Sequence, residues 1–511
     1  MLDILNLAQI NKVLKYKMMK KFLVTMLVVL GLNSIASAQG KQYKSPQDFI
    51  NKEMKTDSLF QNAIIGILAV DDNGKVVAEW NSNMPMLTAS TMKTISTGVG
   101  LAYLGKDFKF STKVAYTGEI KDNVLEGNLY IIGGGDPTLG SKDTVAFAID
   151  SIFGVWTAAI KNLGISKING NIVVDDSYLV REQMPDSWSW GNFGASYGST
   201  ASGLSFYENV QDFKLYPGKN VGDPATIEVV YPQVPGLEIV NEVTTGPAKG
   251  RDRSGYYVQD ITKASLYTGT IPVDRKEITS DNSNRFPHLS CGYHFREYLL
   301  ANGIESNPEI LDIKDIDTPA DEARIPVTET FSPELWKIVN VTNRISNNMY
   351  AETIFKTIGK VKTGVGSYDS ARVAVRDILK EMGVDTYGLT QEDGSGLSRQ
   401  NYVSPKFFCN YYTVMQKNGI FAEFLNSLPV PGGPGTLRSV LKNEAPEVKG
   451  RIHAKSGSLS NVRCYAGYVE SGKKHGMIKF AILTNNFAVS TSKMMPKIEG
   501  FMKSLAETAT K

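Results

Sequence analysis

Cysteine and histidine are scarce in this chain of 511 residues, which contains three cysteines and four histidines. Cys291, Cys409 and Cys464 are odd in number and far apart, so they predict neither a disulfide framework nor a paired-cysteine metal site. We expect three free or partly buried thiols. Because the histidines also lack the spacing of a zinc motif, we predict a protein without a metal centre or another cofactor.

An excess of one charge is also missing, since 55 Lys+Arg face 52 Asp+Glu. Five of the lysines and one acidic residue lie in residues 1–38, and removing them leaves 50 basic and 51 acidic side chains. No dense run of lysine or arginine occurs in the remainder. The sequence therefore gives no electrostatic support for a nucleic-acid partner.

Long apolar runs are confined to the N-terminus. The run 22–32 follows two lysines and precedes Ala36-Ser37-Ala38, a pattern typical of a cleaved signal peptide. The run is shorter than the roughly 20 residues that span a bilayer, which argues against the alternative of an uncleaved anchor. We predict a signal peptide over 1–38, with residues 1–17 as an upstream extension. The mature protein should begin near Gln39, without a membrane span, in the periplasm or cell envelope.

The rest of the chain is globular in composition, with 42% hydrophobic residues, and is long enough for two or three domains. Near both ends, apolar runs pair across short turns, at 63–70 with 75–80 and at 464–470 with 477–484. From about residue 110 to 334, short β-like runs alternate with Gly, Asp and Asn turns. We therefore predict an α/β domain that is split in sequence and carries a large β-rich insertion.

A serine nucleophile would suit such a metal-free protein, and a lysine one helical turn later can act as its base. Ser90 begins a predicted helix that has no charge other than Lys93 between residues 88 and 103, so burying Lys93 without a role would be costly. The alternative is a helix-capping serine with a solvated lysine. The other copies of the S-x-x-K spacing have neighbours that suggest exposure. The four copies are Ser90/Lys93, Ser439/Lys442, Ser471/Lys474 and Ser490/Lys493.

Two partner motifs favour the first copy. Ser346-Asn347-Asn348 fits S-x-N between two predicted helices, and Lys455-Ser456-Gly457 fits K-[ST]-G before the final β-hairpin. Each has a competitor. We interpret Ser280-Asp281-Asn282 as a polar loop with no helix behind it, and Lys362-Thr363-Gly364 as a loop before a helix.

A rival motif is Gly194-Ala195-Ser196-Tyr197-Gly198, which matches the G-x-S-x-G nucleophile elbow. That elbow requires a buried strand before the serine, whereas the polar and aromatic segment 187–193 precedes it here. We interpret the motif as a Gly/Ser loop inside the insertion.

Together the three motifs resemble those of serine penicillin-recognising enzymes. Further segments resemble the D-alanyl-D-alanine carboxypeptidase/endopeptidase family, the penicillin-binding protein 4 type, in which an insertion separates the first two motifs. Asn347 replaces the commoner Asp of that pattern, and Ser456 replaces Thr. The segments that carry the resemblance are Gly133–Thr138, Gly170–Asp175, Asp393–Arg399 with Asn401, Leu428–Val430 with Gly435–Arg438, and Ala454–Ser458.

The resemblance implies a β-lactamase/transpeptidase-like α+β fold with a five-stranded antiparallel sheet between helices. The catalytic domain would comprise residues 39–110 and 335–511, and the insertion 111–334 would form two β-rich subdomains. The implied activity is an exported serine DD-peptidase that acts on peptidoglycan stem peptides, as a carboxypeptidase or an endopeptidase. β-Lactams would acylate it. The alternatives are a catalytically weak penicillin-binding scaffold or, with less support, a β-lactamase or esterase.

The resemblance also implies roles for site residues. Ser90 would be the nucleophile, Lys93 the general base and Ser346 a proton relay to the leaving amine. Lys455 would bind the terminal carboxylate, and the backbone N–H groups of Ser90 and of Ser458 or its neighbour would hold the oxyanion. The implied substrate-binding residues are Asn348, Lys455, Ser456, Gly457, Ser458, Arg399 and Asp175.

Some of these assignments have equally simple structural alternatives. Arg399 would contact substrate or hold its own loop through a salt bridge. Asp175 would bind the side-chain amine of a stem-peptide diamino acid or, as we favour, end a strand as a turn residue. Trp188, Trp190 and Tyr197 would face glycan or pack inside the insertion.

Overall fold

A computed structural model describes residues 43–182, 184–258, 262–316, 323–471 and 476–508. The predicted signal peptide lies outside these residues. The α-helices are α1 Pro46–Thr56, α2 Ser58–Gln61, α3 Lys93–Leu104, α4 Ile149–Asn162, α5 Pro287–Ala301, α6 Leu335–Ile345, α7 Asn348–Thr363, α8 Tyr368–Glu381, α9 Pro405–Gln416, α10 Phe421–Ser427, α11 Pro446–Lys449 and α12 Thr491–Thr508.

The strands follow the same chain order. They are β1 Ile64–Val70, β2 Val76–Trp80, β3 Met86–Leu87, β4 Ser111–Tyr116, β5 Glu119–Lys121, β6 Val124–Glu126, β7 Leu129–Gly133, β8 Lys167–Ile168, β9 Ile172–Asp175, β10 Val210–Tyr216, β11 Thr226–Tyr231, β12 Glu238–Gly246, β13 Gly255–Val258, β14 Ala264–Pro272, β15 Ile278–Ser283, β16 Glu305–Ser306, β17 Ile310–Asp312, β18 Ile325–Phe331, β19 Leu389–Thr390, β20 Tyr402–Val403, β21 Ile452–Leu459, β22 Val462–Glu470 and β23 Met477–Asn485.

The central sheet has five antiparallel strands in the order β2-β1-β23-β22-β21. Its inner strands are apolar on both faces, so each face needs a covering layer. Helices α1 and α12 cover one face, where Phe49 and Phe501 belong to one core cluster. Helices α3, α7 and α9 lie on the other, where Ile95, Ile354 and Tyr411 belong to a second cluster. The predicted sheet between helices is confirmed.

The β-rich part of the chain leaves and returns at one place. Strands β4 and β18 pair antiparallel, with Ser111 opposite Phe331. Just before them, Phe110 N donates to Ser332 Oγ at 3.0 Å and Ser332 N donates to the Phe110 carbonyl at 2.9 Å. The two ends of the β-rich segment are hydrogen-bonded neighbours. The segment therefore lies between α3 and α6 in sequence without interrupting the packing of α3 against α6 and α7.

Two local interpretations are wrong. Ser280–Asn282 is not a loop but lies in β15, which pairs along its length with β10, and α5 follows it. Ladder pairing overrides the weak strand preference of Ser, Asp and Asn, and Pro287 occupies the first turn of α5, where proline is well tolerated. Lys362 and Thr363 are not in a loop but form the last turn of α7, which Gly364 caps.

The three cysteines are free and buried, as expected. In the part of the chain that the structure describes, no helix combines the length and the apolar composition that a membrane crossing requires.

Candidate active site

Ser90 lies in a 3₁₀ turn, Ala89–Met92, that leads directly into α3. This geometry places Lys93 one turn further on the same face, and its Nζ lies 2.9 Å from Ser90 Oγ. Ala89 has a φ of 46°, in the left-handed region that costs a non-glycine residue about 1 kcal/mol or more. The turn before the nucleophile is therefore held in shape by its surroundings.

The Lys93 side chain is completely buried. Besides Ser90, its amine donates to Asn348 Oδ1 at 2.6 Å and to the Ser395 carbonyl at 2.7 Å. Burial lowers the pKa of Lys93, and the carboxylates of Glu352 and Asp393 oppose that shift in part. A buried amine in contact with a serine hydroxyl can take the hydroxyl proton once it is neutral.

The S-x-N motif forms the second wall of the site. Ser346 ends α6 in the left-handed conformation, with φ 64° and ψ 41°. Asn347 is the N-cap of α7, and its side chain accepts from Tyr350 N. The helix then begins at Asn348, whose side chain reaches Lys93. A sharp turn between two helices thus aims Ser346 and Asn348 at the nucleophile.

Lys455, on the edge strand β21, forms the third wall and is also completely buried. Its Nζ donates to Ser346 Oγ at 2.9 Å and to the Ser456 carbonyl at 2.8 Å. Burial holds the pKa of Lys455 well below its ordinary value, and the nearby cations of Lys93 and Arg463 lower it further. The site contains two serine–lysine pairs, one from α3 and one joining α6 to β21.

Sequence reasoning missed the role of the loop between α8 and α9. Asp393 accepts from Gly396 N at 2.7 Å, Ser398 N at 2.6 Å and Asn401 Nδ2 at 2.8 Å, and Trp188 Nε1 donates to it at 2.7 Å. These donors fold the loop so that the Ser395 carbonyl faces Lys93. The signal for this role was the run of Asp, Gly and Ser from residue 393, which is typical of tight turns.

The motif residues meet in a cleft of about 1260 Å³, whose walls come from the central domain and from the β-rich segment. Ser90, Lys93 and Lys455 are thereby connected across 365 residues of sequence. Of the residues expected in the site, those that line the cleft are Ser90, Ser346, Asn348, Arg399, Ser456 and Ser458.

Asp175 is not among the described residues that line this cleft. It ends β9, where its carboxylate accepts from Ser177 N at 3.0 Å and from Arg324 Nη1 at 2.6 Å. The structure thus places it as the strand-ending turn residue that we favoured. Arg399 does lie at the cleft, and its guanidinium donates to the Ser460 carbonyl at 3.1 Å.

The three aromatic residues differ in exposure. Trp188 is buried, whereas Trp190 and Tyr197 are 60% and 53% exposed. Tyr197 lines the cleft, and its carbonyl accepts from Asn348 Nδ2 at 2.7 Å. Ser196 begins a 3₁₀ turn, and the described residues 184–194 before it contain no strand, so the elbow geometry is absent there.

Two of the competing S-x-x-K pairs do not share the setting of Ser90. Ser439, Lys442, Ser490 and Lys493 are all exposed, as their charged neighbours predicted. In the third pair Ser471 is buried, and Lys474 lies outside the described residues. In the competing K-T-G, Lys362 lies in the last turn of α7 and forms an ion pair with Glu381 of α8.

The structure explains why position 347 favours asparagine over aspartate. Its Nδ2 donates to Glu208 Oε2 at 2.8 Å, while Glu208 Oε1 accepts from Ser141 Oγ at 2.9 Å. Aspartate could still cap α7, but it would have no proton to donate and would place a second carboxylate against Glu208. Glu208 thus links the β-rich segment to the S-x-N turn.

Asn347→Asp should therefore lower the free energy of unfolding and slow acylation by a penicillin, and adding Glu208→Gln should restore both in part. Chemical unfolding of the two single variants and the double variant measures the coupling, which we expect at about 1 kcal/mol. Additive effects of the two substitutions would contradict this contact.

A serine hydroxyl held by a buried lysine amine, with a second serine–lysine pair across an open cleft, defines a serine acyl-transfer site of the Ser–Lys type. Comparison with known proteins agrees with this class. The model of the D-Ala-D-Ala carboxypeptidase 3 (S13) family matches residues 50–508. The chain belongs to this family, and it is a serine-type D-Ala-D-Ala carboxypeptidase.

Relatives cover most of the chain. It is 27% identical over 476 residues to a D-alanyl-D-alanine carboxypeptidase of Actinomadura sp. (strain R39), covering 88% of this chain and 83% of the relative. It is 24% identical to D-alanyl-D-alanine carboxypeptidase DacB of Haemophilus influenzae, covering 84% and 88%. The crystal structure of penicillin binding protein 4 from H. influenzae shares the fold, with a TM-score of 0.78 at 22% identity, covering 90% of this chain and 98% of that one.

Proposed function

We propose that this protein is an exported DD-peptidase that cleaves the D-Ala-D-Ala bond of peptidoglycan stem peptides through an acyl-enzyme on Ser90. The observation that carries the proposal is the buried Lys93 amine, which lies within hydrogen-bonding distance of Ser90 Oγ, Asn348 Oδ1 and the Ser395 carbonyl. Three fixed contacts hold the base in place, so little reorganisation is needed before proton transfer.

In the acylation step, neutral Lys93 takes the proton of Ser90 Oγ as the oxygen attacks the carbonyl carbon of the penultimate D-Ala. The Ser90 N–H and the backbone N–H of Ser458 would stabilise the oxyanion. Collapse of the tetrahedral intermediate breaks the amide bond. As the C–N bond breaks, the proton that Lys93 took from Ser90 would pass through Ser346, held by Lys455, to the leaving D-Ala amine, so that Lys93 is neutral again and Ser346 remains a hydroxyl. Water then hydrolyses the ester and releases the shortened peptide.

Lys455 and Ser456 would bind the terminal carboxylate of the substrate. Burial and neighbouring cations hold the pKa of Lys455 down, and an incoming carboxylate would favour its charged form. Asn348 would hold Lys93 and the substrate amide, Gly457 would let β21 approach the nucleophile, and Arg399 would contact the substrate at the cleft rim.

A β-lactam would react by the same route, because its ring amide presents a carbonyl to Ser90 and its carboxylate to Lys455. The leaving amine stays tethered to the acyl group, so the adduct should persist. A solved complex of H. influenzae penicillin binding protein 4 with a β-lactam supports this reading. Endopeptidase cleavage would use the same acylation chemistry with a larger leaving group.

Release of D-Ala from a peptide ending in D-Ala-D-Ala tests the activity. The wild-type protein should release D-Ala, and Ser90→Ala should abolish release, whereas Ser439→Ala should retain it. A penicillin-binding scaffold without hydrolytic function would bind the peptide and release nothing. Digestion of purified sacculi then separates carboxypeptidase from endopeptidase products.

We also propose residues 39–110 and 335–511 as the catalytic domain and 111–334 as the insertion. Export would place the enzyme beside its substrate, in the periplasm or cell envelope. N-terminal sequencing of envelope protein should find a start near Gln39, and a full-length chain confined to the cytosol would contradict export.

A further inference from the structure

Glu352 is a completely buried carboxyl group that none of the three motifs contains. It lies on α7, one helical turn after Asn348, so both side chains leave the same face of the helix. Its two oxygens accept from consecutive backbone N–H groups, Ser395 N at 2.8 Å and Gly394 N at 2.9 Å. A buried carboxyl group with two such donors is held in one position.

The segment that Glu352 holds is the one that holds the base. The Ser395 carbonyl accepts from Lys93 Nζ at 2.7 Å, and the Gly394 carbonyl accepts from Ser96 Oγ at 2.8 Å. A Cβ on Gly394 would lie 2.4 Å from the Ala351 carbonyl oxygen, so this turn is packed directly on α7. Helix α7 therefore fixes Lys93 twice, directly through Asn348 and indirectly through Glu352 and Ser395.

The charges that face Lys93 come from three elements: Glu352 on α7, Asp393 on the loop and Lys455 on β21. Asp393 is already surrounded by four donors. Glu352 raises the pKa of Lys93 against the effect of burial. Glu352 also faces Lys356 and Tyr368. Burial followed by the Asp393 charge raises the pKa of Glu352, whereas its two N–H donors and the charge of Lys93 oppose that shift and favour the carboxylate.

We propose that Glu352 is a positioning residue for the general base: it holds the Gly394–Ser395 turn that orients the Lys93 amine, and it adds a buried carboxylate to the charges that face that amine. The inference rests on the proposed role of Lys93. It predicts that the two hydrogen bonds and the charge of this side chain have separable effects. The two hydrogen bonds, which need the length of Glu and both of its oxygens, govern the turn and therefore the rate, whereas the charge governs the pH at which the base becomes neutral.

Glu352→Gln tests the charge, because glutamine keeps the length but offers one acceptor oxygen instead of two. Removing the negative charge lowers the pKa of Lys93 further, so the rise of the acylation rate should move to lower pH by roughly one unit. The rate on its plateau should fall by about tenfold, less than the roughly 10²-fold loss expected when a catalytic group moves by about 1 Å, because one of the two hydrogen bonds to the turn is kept. Stopped-flow acylation by a fluorescent penicillin across pH measures both.

Two further variants complete the test. Glu352→Asp keeps the charge but is too short to reach both N–H groups, so its rate should fall while its pH midpoint stays near that of wild type. Glu53→Gln is the matched control, since Glu53 is a buried carboxylate with two donors, Tyr43 and Lys497, on the opposite side of the central sheet. It should leave the midpoint unchanged.

An unchanged midpoint in Glu352→Gln, or equal midpoint shifts in the Gln and Asp variants, would overturn the inference and leave Glu352 a purely structural residue. If Glu352→Gln does not fold, a wild-type rate in Glu352→Asp overturns the positioning role, and a reduced rate at the wild-type midpoint supports it. Lys93→Ala and Ser90→Ala in the same assay separate this outcome from failure of the proposed function, since only the latter would leave those variants active.

Discussion

Replacing Lys93 with alanine should slow acylation by a penicillin by about 10²- to 10⁴-fold, the loss expected when a general base is removed. The amine is completely buried against Ser90. Its three hydrogen-bond partners are a hydroxyl, a side-chain amide oxygen and a backbone carbonyl, and none of these can replace it as a base. The time course of fluorescent penicillin incorporation measures the rate. Lys442→Ala is the matched control, because Lys442 has the same S-x-x-K spacing from Ser439 but is exposed. Equal rates in the two variants would contradict the assignment.

The pH profile of the wild-type rate follows from the same amine. Burial lowers the pKa of Lys93, so the neutral form accumulates as the pH rises through that lowered value. Acylation should therefore increase with pH in a range where an ordinary lysine, with a pKa near 10.4, is still protonated. A rate that rises only near the ordinary lysine pKa would show that Lys93 is not the base.

Gly457→Ala should reduce acylation by roughly 10²-fold, the effect expected when catalytic groups are displaced by about 1 Å. A Cβ on Gly457 would lie 2.4 Å from the Thr88 carbonyl oxygen and 3.0 Å from both Ser90 N and Thr91 N. These are backbone atoms, so strand β21 would have to move away from the nucleophile turn. That movement separates the backbone N–H groups of Ser90 and Ser458, which are proposed to hold the oxyanion.

Gly419→Ala is the control for Gly457→Ala, because a Cβ at Gly419 meets no atom within 4 Å of it. Both variants should remain folded in thermal unfolding, and only the first should lose acylation. A folded Gly457→Ala variant with the wild-type rate would show that the close approach of β21 is unimportant.

Local sequence context was enough to select the right copies of the motifs. The helix of Ser90 has no charge except Lys93, and that lysine proves to be buried, whereas Lys442 and Lys493 have charged neighbours and are exposed. The apolar runs near both ends of the chain likewise predicted the central sheet, because strands that are apolar on both faces must lie inside a domain.

Other features depend on contacts that no local pattern carries. Glu352 looks like an ordinary helical glutamate until the turn at residues 394–395 is placed against it. The strand at Ser280–Asn282 owes its conformation to pairing with β10, which local β propensity does not reveal. The preference for asparagine at position 347 follows from its hydrogen bond to Glu208, which is 139 residues away in sequence.

Ser90 should be the acylated residue. Mass spectrometry of the protein digested after reaction with a penicillin identifies that residue, since the adduct adds its mass to one peptide. We expect the peptide containing Ser90 to carry the adduct, and Ser90→Ala to remove it. An adduct on a peptide containing Ser196, Ser346, Ser439 or Ser490 instead would contradict the mechanism, whatever the family of the chain.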